Sequence, residues 1–156
     1  MEIKNVDGRL VGWTDVPLDL YTPVLAFLSL IRHGAVFLLE SVEKGEKLGR
    51  FSFIGLDPEE RIIVEGGTLR SGERETSINR TNIKKTLDSL MQERYDFDTE
   101  EIDFAGGWAG YVGYEFASFL DEIELKKDSL FPLLNLFKIK KLLIFDHVKH
   151  TGKILV

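Results

Sequence analysis

Ala35-Val36-Phe37-Leu38-Leu39, Phe51-Ser52-Phe53-Ile54 and Arg61-Ile62-Ile63-Val64-Glu65 decide the fold. Each run is short, apolar and rich in β-branched or aromatic side chains, the composition that suits a pleated surface. Each is too short for a helix that could bury a stripe of its own. Polar residues separate them, with Glu43-Lys44-Gly45-Glu46-Lys47 as a turn. Gly66-Gly67 predicts a hairpin into a fourth strand at Thr68–Arg70. Residues 35–70 are therefore expected to form an antiparallel meander, with Ala35–Leu39 buried.

One firm helix lies upstream. Thr22 is a good N-cap, and Pro23 stands at the first helical position, where its missing N–H costs nothing. Val24, Phe27, Leu28 and Ile31 follow at helical spacing, and Gly34 after His33 is a natural stop. The helix is expected over 22–33. Before it, 9–14 alternates loosely as a short strand.

Downstream, 71–80 is polar and reads as loop. Ile83, Leu87, Leu90 and Met91 mark a second amphipathic helix, capped by Asn79 or Asn82. The acidic stretch 94–103 reads as a solvated linker and the natural place for an internal boundary. Residues 106–114, rich in Gly and aromatics, predict a strand in close contact with neighbouring backbone. A helical turn over 115–122 follows. Two further strands, 136–146 and 152–156, flank a turn at 147–151. The expected class is α+β: a mainly antiparallel sheet with two packed helices. The chain stops at Val156 inside an apolar strand pattern, which suggests a piece of a longer protein.

Composition narrows the function. The chain has 156 residues with 20 Lys+Arg against 26 Asp+Glu, a net charge of −6. That balance disfavours general nucleic-acid binding, which needs clustered cations. No run is long and apolar enough for a transmembrane helix, and the first residues lack the apolar core of a signal peptide. There is no cysteine, so disulfides, thiolate chemistry and cysteine metal sites are excluded. A cytoplasmic location is the default expectation, with no membrane partner.

Most chemical motifs favour plain readings. His147 and His150 lack a nearby third ligand and read as solvated turn histidines. The Gly-rich stretch lacks the endings of phosphate-binding loops. Glu59-Glu60, Glu100-Glu101 and Asp121-Glu122 sit in polar surroundings and read as solvated faces. Nothing matches a serine nucleophile motif.

Leu38-Leu39-Glu40-Ser41 differs, because it places a carboxylate and a hydroxyl at the end of a core-like run. Adjacent strand residues point to opposite faces, so one of the pair needs a partner. Arg50 could pair with Glu40 across the hairpin. Alternatively the segment is the polar rim of a small-ligand site. A carboxylate suits an ammonium, a hydroxyl suits a carboxylate, and apolar neighbours suit a ring.

These residues carry a family resemblance. Leu38-Leu39-Glu40-Ser41 and Gly49-Arg50-Phe51-Ser52-Phe53-Ile54-Gly55 resemble the N-terminal region of anthranilate synthase component I. That region is shared with the p-aminobenzoate synthase component. Thr22-Pro23-Val24 is similar to the family's opening. Gly106-Gly107-Trp108-Ala109-Gly110-Tyr111-Val112-Gly113-Tyr114-Glu115 is similar to its Gly-Gly-x-x-Gly-Tyr-x-x-Tyr-Asp element, with Glu115 in place of the usual Asp. Phe145-Asp146-His147-Val148 matches a segment near the region's end.

The resemblance implies the N-terminal domain of a longer chorismate-utilising synthase, its C-terminal catalytic domain absent. The parent, a lyase, converts chorismate and ammonia to anthranilate and pyruvate. Its magnesium and chorismate residues belong to the missing half, so this chain alone is expected to be inactive and to hold no cofactor. A glutamine amidotransferase subunit, component II, would deliver the ammonia. The resemblance also implies part of an L-tryptophan feedback site at Leu39, Glu40 and Ser41, with Arg50 as a weaker transfer. The Glu40-Ser41 pair favours this branch over the p-aminobenzoate one. A free-standing small-molecule-binding module is the alternative from another class.

Overall fold

The computed structural model describes residues 2–6, 9–17, 21–40, 49–91, 104, 106–123, 125 and 130–156. Among them the chain divides into two compact units, each with its own antiparallel sheet.

The first unit contains β1 (Glu2–Val6), β2 (Arg9–Pro17), α1 (Pro23–Leu30), β3 (Ala35–Leu39), β4 (Phe51–Leu56), β10 (Lys141–Asp146) and β11 (Thr151–Leu155). Its strand order is β1-β2-β11-β10-β4-β3. β10 lies between β4 and β11, with Ile144 opposite Phe53 and Lys153. The strand expected at 9–14 is β2, which runs on to Pro17, while β1 was not anticipated. Ala26, Ala35, Ile54, Leu143 and Phe145 form the buried cluster beneath α1.

The signals predicted for α1 are the ones that shape it. Thr22 Oγ1 accepts from Leu25 N at 3.2 Å, Pro23 opens the helix, and a 3₁₀ turn at Ile31–His33 ends at Gly34 with φ 89°. Most of its expected apolar stripe points away from the core, however. Pro23 and Ala26 are buried, whereas Val24, Leu28 and Ile31 are exposed. Small residues let the helix lie close on the sheet, and of the large ones Phe27 and Leu30, partly buried, pack against the same cluster.

The second unit contains β5 (Glu60–Glu65), β6 (Thr68–Ser71), β7 (Arg74–Ser77), α2 (Ile83–Leu90), β8 (Gly107–Val112) and β9 (Leu134–Ile139). Its order is β7-β6-β5-β9-β8. Ile62, Val64, Leu69, Ile78, Ile83, Phe116 and Leu134 make its core. The Gly66-Gly67 hairpin forms as expected, both residues at positive φ. A 3₁₀ turn at Tyr114–Phe119 answers the helical turn expected nearby. Ahead of α2, Asn79 Oδ1 accepts from Thr81 N and Asn82 N, while Asn82 Oδ1 accepts from Asn79 N. The two candidate caps therefore work as one turn.

Close backbone approach at β8 is borne out. A Cβ on Gly106 would stand 2.7 Å from the Ile139 carbonyl oxygen, and one on Gly110 would collide with that of Asn135. Both glycines have positive φ, so the strand needs them for two independent reasons.

Four expectations require correction. The meander 35–70 is split, because β4 and β5 belong to different sheets. Asp57, at φ 43°, turns the backbone between them, a conformation Asp tolerates. Residues 136–146 likewise form two strands, parted at Lys140. The polar segment 71–80 contains β7, an exposed edge strand whose partner β6 supplies the pairing its own composition does not advertise. Finally, β3 is an edge strand; only Ala35 along it is buried. The turn expected at Glu43–Lys47 and the acidic stretch 94–103 lie outside the described residues.

Candidate functional site

The C-terminal end of β3, the start of β4 and the end of β10 meet at one corner of the first unit. Leu38 pairs with Ile54 and Leu39 with Phe53. Ile54 is fully buried, so alternation turns Leu38 toward the α1 side and Leu39 toward the opposite face. That face carries Phe51 and Phe53, ring centroids 6.1 Å apart. Phe104 meets Phe53 edge-on at 5.6 Å. Leu39, 47% exposed, stands at the margin of this aromatic shelf, and the exposed Glu40 follows it just past the end of β3.

Arg50 lies over Phe51, its guanidinium carbon 4.6 Å from the ring centroid. It does not answer Glu40. Its fork grips Asp146: Nη2 donates to Oδ2 at 2.6 Å, and Nε donates to Oδ2 at 3.1 Å and Oδ1 at 3.2 Å. The backbone N–H groups of Val148 and Lys149 both donate to Asp146 Oδ1 at 3.0 Å. Burial by itself would raise the carboxyl's pKa. The Arg50 bonds and the two N–H donors together outweigh it and hold Asp146 below its usual range. One face of the corner is thus an apolar shelf edged by a satisfied ion pair.

The next residue on β4 closes a second link. Ser52, fully buried, lies 2.7 Å through Oγ from His147 Nε2. His147 N also donates to Arg50 O at 2.9 Å. His147 is therefore more than the solvated turn histidine expected, whereas His150 remains exposed in the turn at φ 54°.

Of the four residues proposed as a site, Leu39, Glu40 and Arg50 gather at this corner. Ser41 lies outside the described residues. Asp146 and His147 were not anticipated as members. Their signal was present in the motif Phe145-Asp146-His147-Val148, whose polar pair answers the Arg50 and Ser52 of the other motif across the β4–β10 register. Among the described residues, no group of three or more His, Asp or Glu side chains could hold a metal ion. A separate cavity of about 830 Å³ in the second unit is lined by Arg80, Glu115, Ile78, Phe119 and Leu133, none of them a site candidate. No described helix is long and apolar enough to cross a membrane.

No protein-family model matches the chain. A probable anthranilate synthase component 1 of Schizosaccharomyces pombe is 32% identical over 158 residues, covering 97% of this chain and 29% of that protein. Anthranilate synthase component 1 of Thermus thermophilus is 32% identical over 139 residues, covering 85% of this chain and 29% of its own. Among solved structures, anthranilate synthase component I from Streptococcus pneumoniae matches with a TM-score of 0.57 and 25% identity. That match covers 90% of this chain and 30% of the solved chain. The chain spans between 23% and 33% of the length of the curated relatives it matches.

Proposed function

We propose that this chain, which resembles anthranilate synthase component I over nearly its whole length, acts as the N-terminal domain of such a synthase. Its task there is regulatory: it contributes part of an L-tryptophan feedback site at Leu39, Glu40 and Ser41. The observation that carries this is the corner of β3 and β4. Leu39 lies on the apolar face that Phe51 and Phe53 form, and an exposed carboxylate, Glu40, follows it just past the end of β3. That combination suits a ligand with an ammonium and an aromatic ring. Arg50, its fork engaged by Asp146, frames the site rather than receiving the ligand's carboxylate.

In this reading catalysis belongs to the remainder of the synthase, which holds chorismate and magnesium and makes anthranilate and pyruvate. A glutamine amidotransferase subunit, component II, supplies ammonia. The chain alone makes no anthranilate. Tryptophan stabilises an inactive arrangement because it binds that state more tightly, which is all a feedback ligand can do.

The test is tryptophan inhibition of the full synthase, with product identified by chromatography. Anthranilate as product, and inhibition lost in Glu40→Gln and Ser41→Ala, are expected. Retained inhibition in both variants removes the site assignment, and p-aminobenzoate as product removes the branch.

A further inference from the structure

We propose that the cavity of the second unit binds a small zwitterion with an apolar body, an α-amino acid of apolar side chain. Arg80 receives its carboxylate and Glu115 its ammonium.

The apolar floor comes from the core of that unit. Ile78 is 5% exposed, and its N–H donates to Gly67 O at 2.9 Å. Leu133 N donates to Val64 O at 2.8 Å. Phe119 packs on the buried Phe116, ring centroids 5.7 Å apart. Backbone bonds and core packing thus hold the floor in place before any ligand arrives, which lowers the ordering cost of binding. The volume, about 830 Å³, is that of a small-ligand pocket.

Two opposite charges line the same cavity. Arg80 Nε donates to Ser118 O at 2.8 Å, and Ser118 Oγ donates to Glu115 O at 2.8 Å. Both are therefore tied to one 3₁₀ turn, Tyr114–Phe119. Yet among the described residues Arg80 and Glu115 form no ion pair, with each other or with another side chain. A third charge at the cavity, Glu65, is already held by Arg70 at 3.4 Å.

The chemistry follows from that arrangement. The bond from Nε fixes the Arg80 guanidinium and leaves both Nη groups to donate, the fork that suits a carboxylate. Glu115 is half-buried, where a carboxylate gains most from a cation that replaces lost water. An α-amino acid carries both complementary charges on one carbon and sends its side chain onto Ile78, Phe119 and Leu133. The site shares no residue with the β3–β4 corner and stands independently of the tryptophan reading.

The test titrates the whole chain with three probes, followed by NMR shifts of the Ile78 and Leu133 methyls and the Phe119 ring. The probes are L-phenylalanine, phenethylamine (amine only) and 3-phenylpropionate (carboxylate only). L-phenylalanine should bind with a Kd of about 1 mM or tighter, and each single-charge probe about tenfold more weakly. Glu115→Gln should weaken L-phenylalanine and phenethylamine about tenfold and leave 3-phenylpropionate unchanged. Arg80→Gln should weaken L-phenylalanine and 3-phenylpropionate and leave phenethylamine unchanged.

Equal binding of all three probes to the unsubstituted chain overturns the proposal, and this arm needs no variant to fold. So does the absence of shifts at Ile78, Phe119 and Leu133, or shifts confined to Leu39 and Phe53, which would place the ligand at the other corner. Loss of all three probes alike in a variant that keeps the native spectrum also overturns it, because the two charges then have no separate partners.

Discussion

Ser52 and His147, 95 positions apart in the chain, share a hydrogen bond of 2.7 Å, and only one of them is buried. The serine hydroxyl has no water to fall back on, while the exposed imidazole does. Each partner is therefore held to the other by a different energy.

This asymmetry predicts unequal costs. Ser52→Ala loses one hydrogen bond and returns His147 to water, about 1 kcal/mol. His147→Ala strands a buried hydroxyl and should cost more, about 2 kcal/mol. Urea denaturation of both variants checks the order, and a larger loss in Ser52→Ala would refute it.

Asp146 links stability to pH. Its carboxyl is held below the usual range in the folded chain, so folding favours its ionised form. The stabilisation is complete above the unfolded value of about 4 and is lost as pH falls through the lower, folded value. Asp146→Asn should cost about 1–2 kcal/mol near neutrality, the lower part of the range for a partly exposed charged bond. The difference from the unsubstituted chain should shrink below about pH 4. Thermal melts at pH 7 and pH 3 measure both; a gap that widens in acid contradicts the linkage.

Two glycines with positive φ should respond differently to substitution. Gly66 (φ 55°) has nothing within 4 Å of where a Cβ would stand, and Gly67 follows at φ 82°. Asn is at home in that hairpin geometry, so Gly66→Asn should stay within about 0.5 kcal/mol. Gly110→Ala drives a methyl into the Asn135 carbonyl and should cost roughly 2–4 kcal/mol. Denaturation midpoints of the two variants decide the matter.

Separate cores predict separable unfolding. Ile54 and Ile62 are both fully buried, one in each unit. Either residue changed to Ala should cost about 3 kcal/mol. Hydrogen exchange should show Ile54→Ala loosening β4 and β10 first, and Ile62→Ala loosening β5 and β6 first. Equal loss of protection in both units from either change would show that they unfold as one.

The sequence by itself determined the local elements. Thr22, Pro23 and Gly34 bound α1, Gly66-Gly67 turns the β5–β6 hairpin, and the glycines before and within β8 mark a backbone pressed against its neighbour. Each of these is a matter of φ, a cap or a Cβ, settled within a few residues. Tertiary structure alone decided which sheet each strand joined. Alternation of side chains looks the same on β4 and β5, and the apolar residues on either side of Lys140 read as one strand. It also decided which side of α1 is covered, because a helix whose residues are apolar nearly all round offers no unique buried stripe. The partner of Arg50 was a choice of the same kind. Glu40 was the near carboxylate in sequence, yet Asp146, 96 residues away, is the one that strand pairing brings close and backbone N–H groups hold in place. Local chemistry names the groups that seek partners; only the long-range register brings those partners within hydrogen-bonding distance.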